Sequence, residues 1–106
     1  MIYLNKDAKP INALPGLTRK TLAQSRSMMI CEFRFDAQVE IPIHSHPHDQ
    51  VGYLVEGHVE MTIDGKKYEL NKGDSYCAPS NVPHGVYTLE QSVIVDTFCP
   101  PREDYQ

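Results

Sequence analysis

From about residue 27 to the C-terminus, apolar residues recur at every second position, and no segment carries the three-to-four-residue spacing of an amphipathic helix. That period suits strands whose side chains point alternately to a core and to solvent. In the stretch Met28 to Phe35, Met29, Cys31, Phe33 and Phe35 share one face, and Glu32 and Arg34 take the other. Further on, Val59, Met61 and Ile63 alternate with His58, Glu60 and Thr62. Asp64-Gly65 then supplies the pair that a type I′ hairpin turn prefers, and Tyr68 and Leu70 resume the alternation on the returning strand. Turns are expected at Asn71-Lys72-Gly73-Asp74 and Ser80-Asn81-Val82-Pro83, followed by strands over Gly85 to Leu89 and Ser92 to Phe98. Short strands at this spacing predict an all-β fold, a sandwich or a closed antiparallel β-barrel.

With 106 residues the chain has room for one core. Residues 1–24, with Pro10, Pro15 and Gly16, read as an N-terminal arm contributing one or two strands at a sheet edge or to a second subunit; residues 25–106 read as the barrel with a C-terminal tail. Pro100 and Pro101 donate no ladder hydrogen bonds, so the tail is expected to leave the sheet and wrap over the outside. A barrel this small leaves edges that invite pairing, and a homodimer is expected.

The formal charge is −4, with acidic and basic residues scattered, so no basic stripe is available for nucleic acid. No run reaches membrane-spanning length, and the opening MIYLNKDAKPINALPG has no secretory signal pattern. Cys31, Cys77 and Cys99 are odd in number, far apart and without a CxxC pair, which fits small buried hydrophobes in a reducing cytoplasm better than a disulfide framework.

Four of the five histidines fall in two places, Ile43-His44-Ser45-His46-Pro47-His48-Asp49-Gln50 and Val82-Pro83-His84-Gly85. On a strand, His44 and His46 project to one face, where two imidazoles can reach one ion or simply be solvated. Gln50, beyond the bend at Pro47, and His84, after the later turn, could complete such a site; Gln50 could equally serve only as a hydrogen-bonding neighbour. His48 is either a supporting partner or a solvated loop residue, and His58 reads as surface. Imidazole and oxygen donors without thiolate suit nickel, iron, manganese, cobalt or zinc. If Gln50 binds, a neutral amide adds no negative charge to the site, which makes the bound ion a stronger Lewis acid than a carboxylate ligand would.

These residues bring the chain into resemblance with the cupin superfamily. The first cupin motif, G-x5-H-x-H-x3-4-E-x6-G, is matched by His44, His46, Gln50 and Gly57, with Gln38 for the leading glycine and Gln50 for the glutamate. The second, G-x5-P-x-G-x2-H-x3-N, is matched by Gly73, Pro79 and His84, with Asn81 for the second glycine and Thr88 for the asparagine. Asparagine tolerates the left-handed backbone that a glycine there would adopt. The resemblance implies a single-domain cupin, an antiparallel jelly roll holding one divalent metal.

Near the C-terminus Asp96 and Phe98 share a strand face, opposite Val93 and Val95. If Phe98 points into the barrel, so does Asp96, either as a proton-transfer group or as an ion-pair partner of Arg102 or another residue. With His-Ser-His-Pro-His-Asp-Gln, Gly73-Asp74-Ser75-Tyr76, Pro83-His84-Gly85-Val86 and the ending Asp96 to Tyr105, the chain is similar to the KdgF-type pectin-degradation cupins. That resemblance implies conversion of cyclic 4,5-unsaturated uronates to linear keto acids. It implies metal ligands at His44, His46, Gln50 and His84 and further functional residues at Asp96, Phe98 and Arg102. Arg102 is expected to grip the uronate carboxylate, Asp96 to move the proton and Phe98 to wall the sugar face. Two other readings remain open: a non-haem metal oxygenase of small diols or diketones, and a non-catalytic, metal-dependent sugar-acid binding protein.

Overall fold

A computed structural model describes residues 1–106. Ten strands follow in chain order: β1 (Ile11–Leu14), β2 (Leu17–Gln24), β3 (Met29–Phe35), β4 (Glu40–His44), β5 (Asp49–Glu56), β6 (His58–Ile63), β7 (Lys66–Asn71), β8 (Ser75–Ala78), β9 (His84–Thr88) and β10 (Ser92–Cys99). Single 3₁₀ turns lie at Asn5–Asp7 and Glu103–Tyr105.

The strands form two antiparallel sheets, β1-β2-β3-β10-β5-β8 and β4-β9-β6-β7. No ladder joins one sheet to the other, so the fold is a jelly-roll sandwich and not the closed barrel that strand spacing alone also allowed. Alternation decides which residues meet between the sheets. Met29, Cys31, Phe33 and Phe35 of β3, Leu54 of β5, Val59 and Met61 of β6, Val86 of β9, and Ile94 and Phe98 of β10 make one buried cluster together with Leu17. Glu32 and Arg34 of β3 and Glu60 of β6 take the opposite side, whereas Gln50, His84, Thr88, Ser92 and Asp96 are polar residues that the same alternation buries.

The Asp64-Gly65 turn has φ of 51° and 78°, both positive, as the two-residue hairpin between β6 and β7 requires. Gln38 and Asn81, which stand where the cupin motifs carry glycine, adopt φ of 62° and 65°. The backbone shape has thus been kept without the residue that adopts it most easily. Thr88, at the motif's asparagine position, is fully buried. Its hydroxyl donates to the Asp36 carbonyl at 2.7 Å and accepts from the Val39 N–H at 2.9 Å, tying the end of β9 to the loop before β4.

Residues 11–24 supply β1 and β2 at the outer edge of the six-stranded sheet. Two expectations need correction. Cys31 is buried, but Cys77 and Cys99 are exposed, because each follows an inward-facing residue on its strand. The tail after Pro100 does not simply cover the outside: Tyr105 packs on Phe33 and Phe98, with ring centroids 6.1 and 5.6 Å apart, and lines the interior cavity together with Arg102.

Candidate metal centre and active site

The loops carrying the two histidine motifs are bonded to each other. The Asn81 N–H donates to the His46 carbonyl at 2.8 Å, the Ser80 hydroxyl to the Pro47 carbonyl at 2.6 Å, and the Ser80 N–H to Asp49 Oδ1 at 2.9 Å. His44 and His84 are direct cross-strand neighbours on β4 and β9. The result is three imidazoles, His44, His46 and His84, whose candidate ligand atoms all lie within 4.8 Å of one another. Ring centroids are 4.4 Å apart for His44 and His84, 4.9 Å for His46 and His84, and 5.7 Å for His44 and His46.

The backbone also sets the tautomers. Nδ1 of His44, His46 and His84 sits 2.8, 3.2 and 2.9 Å from the carbonyls of Pro42, His48 and Val82. A carbonyl only accepts, so His44 and His84 carry their proton on Nδ1 and leave Nε2 as a lone pair. His46 has an acceptor at each nitrogen, Gln50 Oε1 lying 3.0 Å from its Nε2, and offers Nε2 to an ion in its Nδ1–H tautomer. His84 Nε2 is buried with no hydrogen-bond partner. Burial, followed by the Arg102 charge for His46, lowers the pKa of that ring, and burial likewise lowers that of His84, so the neutral ligand form is favoured. An orphaned Nε2 and three convergent lone pairs are the donor set a divalent ion takes, and these residues fit one.

Gln50 points into the same cluster. Its Oε1 lies 3.0 Å from His46 Nε2, and its Nε2 donates to the Tyr76 hydroxyl at 2.7 Å and to Asp96 Oδ2 at 3.1 Å. The Tyr76 hydroxyl in turn donates to Asp96 Oδ1. Asp96 is 5% exposed, and burial pushes its carboxyl up to about 7 against the opposing hydrogen bonds from Tyr76 and Gln50. The same burial, with the Asp96 charge, holds the Tyr76 phenol well above its ordinary range, so it remains a donor.

Arg102 does not pair with Asp96. Its Nε and Nη2 donate to the carboxylate of Asp104 at 3.2 and 2.9 Å, and its guanidinium lies over the rings of Phe98 and Tyr105 at 5.4 and 4.2 Å from their centroids. The Nη1 edge is left for another acceptor. Phe98 is 1% exposed and meets the His46 ring edge-on with centroids 6.0 Å apart. One cavity is therefore lined by His44, His84, Gln50, Asp96, Phe98 and Arg102. His48 serves through its backbone carbonyl, which holds His46, while its own Nδ1 is buried and unpartnered. His58 lies outside the site, paired with Glu69.

Two residues of this site carry no role in the motif reading. Tyr76 touches both Gln50 and Asp96. Gly52 lies between Asp96 and Tyr76 in the strand register, and a Cβ there would fall 2.2 Å from Asp96 Oδ1 and 2.2 Å from Tyr76 Cε1. A glycine inside a strand is the available signal of such a close approach.

The raised Asp96 carboxyl has a consequence for stability. Between pH 4 and 7 the folded chain holds a proton on Asp96 that the unfolded chain has released, so through this group stability falls as pH rises. A rise from 3.8 to about 7 corresponds to about 4 kcal/mol lost across that window in the metal-free protein. His46 and His84, lowered in the fold, act in the opposite direction, losing stability as pH falls through the ordinary histidine range. Denaturant melts of the metal-free native chain and Asp96→Ala at pH 4.5, 6 and 8 isolate the carboxyl. Relative to the variant, the native chain should gain stability toward pH 4.5; parallel curves would contradict the assignment.

Residues 31–97 match the cupin domain family. Over 107 aligned positions the chain is 39% identical to the pectin degradation protein KdgF of Dickeya dadantii (strain 3937), spanning 97% of this chain and 96% of that protein. The structure of KdgF from a Halomonas species is similar with a TM-score of 0.94 at 33% identity, covering 100% of this chain and 98% of the other. An RmlC-like cupin from Shewanella frigidimarina NCIMB 400 is similar with a TM-score of 0.95 at 32% identity, covering 99% and 95%.

Proposed function

The chain belongs to the cupin family, among the KdgF-type pectin degradation proteins, and on that premise we propose that it opens cyclic 4,5-unsaturated uronates to linear keto acids. The observation that carries the proposal is a three-histidine cluster that opens, through His44 and His84, onto one cavity lined also by Gln50, a buried carboxyl, Asp96, and an arginine with one edge to spare.

His44, His46, His84 and Gln50 would hold one divalent ion. Bound there, such an ion supplies Lewis acidity to the sugar oxygens. The substrate is a ring closed through C1 as a hemiacetal, with its double bond between C4 and C5. Opening breaks the bond from C1 to the ring oxygen, whose electron pair stays on that oxygen, removes the proton of the C1 hydroxyl and leaves an aldehyde at C1 and an enolate at C5. Ketonisation then places that one proton on C4. Atoms balance with no water or oxidant, so the step is an isomerisation. Asp96 takes the proton and returns it at C4, a task for which a carboxyl at about 7 has both forms at hand. The free edge of Arg102 binds the uronate carboxylate, and Asp104 keeps the guanidinium plane in place from the other side. Phe98 gives the sugar an apolar wall.

Arg102→Lys should raise KM about tenfold, the value of one charge-assisted hydrogen bond of about 1.5 kcal/mol, with kcat within about twofold, because an ammonium cannot reproduce the fork. Steady-state kinetics with an unsaturated uronate monomer checks this, and an unchanged KM removes the carboxylate clamp. The function itself is tested by loss of the conjugated-acid absorbance of unsaturated galacturonate. Metal-loaded protein should accelerate it and chelator-treated protein should not; no acceleration would leave a binding protein, and oxygen uptake would make it an oxygenase.

We further propose that the protein works in the cytoplasm, supported by three unpaired thiols, and as a homodimer. Val51 and Tyr53, about half exposed on the outer face of the larger sheet beside Val95, support that second proposal.

A further inference from the structure

We propose that Tyr76 is the positioning residue that turns the Gln50 amide oxygen toward the three imidazoles, an inference that rests on reading Gln50 as the fourth metal ligand. The difficulty that such a residue must solve is visible in the contacts of Gln50. To ligate an ion through Nε2, His46 must keep its proton on Nδ1, toward the His48 carbonyl, and its Nε2 then presents a lone pair to Gln50 Oε1 only 3.0 Å away. Two lone pairs aimed at one point repel. The amide would do better reversed, with an N–H donated to the imidazole, unless a cation stands between them or the far end of the amide is held.

The far end is held. Tyr76 has one hydroxyl proton and gives it to Asp96 Oδ1, which leaves only lone pairs facing Gln50, and only the N–H end of an amide can satisfy them. The second N–H of Gln50 goes to Asp96 Oδ2, so both amide protons are used on one side and Oε1 is left on the other. This directed triangle exists because of the register of three strands. Asp96 on β10 lies opposite Gly52 on β5, Gly52 lies opposite Tyr76 on β8, and the absent Cβ of Gly52 lets phenol and carboxylate meet above it.

The arrangement is needed with glutamine and not with glutamate. A carboxylate presents an oxygen to the metal whichever way it is turned, whereas an amide has one ligating end and must be oriented. Tyr76 should therefore matter to metal binding in the native background and cease to matter once Gln50 is made Glu.

The test is a titration of Co²⁺ into metal-free, full-length protein, read by its visible absorption bands, for the native chain, Tyr76→Phe, Gln50→Glu, the double variant and Gln50→Ala. Tyr76→Phe keeps every carbon of the side chain, and melting of the metal-free proteins checks that the fold is retained. Tyr76→Phe should weaken Co²⁺ about tenfold, the low end of what partners of metal ligands contribute, and shift the bands. In the Gln50→Glu background the same change should alter affinity less than about twofold. Equal losses in both backgrounds would make Tyr76 merely structural and overturn the inference, as would native affinity in Tyr76→Phe. If Gln50→Ala weakens Co²⁺ while Tyr76→Phe does not, the inference alone falls; if Gln50→Ala binds Co²⁺ as the native chain does, the fourth-ligand reading falls with it.

Discussion

Replacing His84 with alanine should lower affinity for a divalent ion roughly a hundredfold to a thousandfold, taking about 3 to 4 kcal/mol as one ligand's share of the 10–16 kcal/mol typical of a four-ligand site. His84 is the sharpest place to cut. Its Nε2 is buried with no protein partner, so in the metal-free fold the atom has nothing to do, while its Nδ1 is fixed by the Val82 carbonyl. The substitution removes a donor without breaking a hydrogen bond that the inward side of the ring makes to the rest of the fold. Metal content after dialysis, measured by elemental analysis beside the melting curve of the metal-free protein, separates loss of the site from loss of the fold. Near-native metal content in a folded His84→Ala protein would contradict a shared ion.

Asp96→Ala should do the reverse, leaving metal affinity within about tenfold while turnover falls about 10²- to 10⁴-fold, the range that one positioned general acid–base group supplies. Asp96 touches Gln50 but none of the imidazoles, so its loss slackens the fourth ligand and leaves three in place. Its carboxyl at about 7 makes it suited to both taking and giving a proton near neutrality. Single-turnover rates with the unsaturated monomer, measured on protein of verified metal content, check the claim. If Asp96→Ala and His84→Ala lose metal equally, Asp96 is a structural support and the acid must be sought elsewhere.

Much of this site was legible because its residues are fixed locally. His44 ends β4 and His46 lies two residues past it, in the loop that Asn81 and Ser80 hold, so strand parity alone does not bring them together; the motif spacing carries both, with Gln50 and His84, to the same end of the sandwich. Asp96 and Phe98 follow from strand parity on β10. That parity, taken one residue further, puts Cys99 outside, and on β8 it puts Cys77 outside between inward Tyr76 and Ala78. The expectation that all three cysteines are buried came from residue type where periodicity was the better guide.

What could not be read depends on contacts between distant stretches. Tyr76 meets Asp96 across an intervening strand, and only the pairing of β8 with β5 and β5 with β10 brings them together. Choosing Asp104 rather than Asp96 as the partner of Arg102 depends on the path of the tail after Pro100, which turns inward so that Tyr105 can rest on Phe98 and Phe33. Closed barrel and open sandwich share one strand pattern, and the difference lies in whether the edge strands of the two sheets find each other.

The site requires that one cation join the three histidines. A crystal of the full-length protein grown with Ni²⁺ or Mn²⁺ and measured at the metal's absorption edge answers this directly. A single anomalous peak should lie about 2.1 Å from Nε2 of His44, His46 and His84, with Gln50 Oε1 beside it. A peak away from these nitrogens, or none in metal-replete crystals, would contradict it.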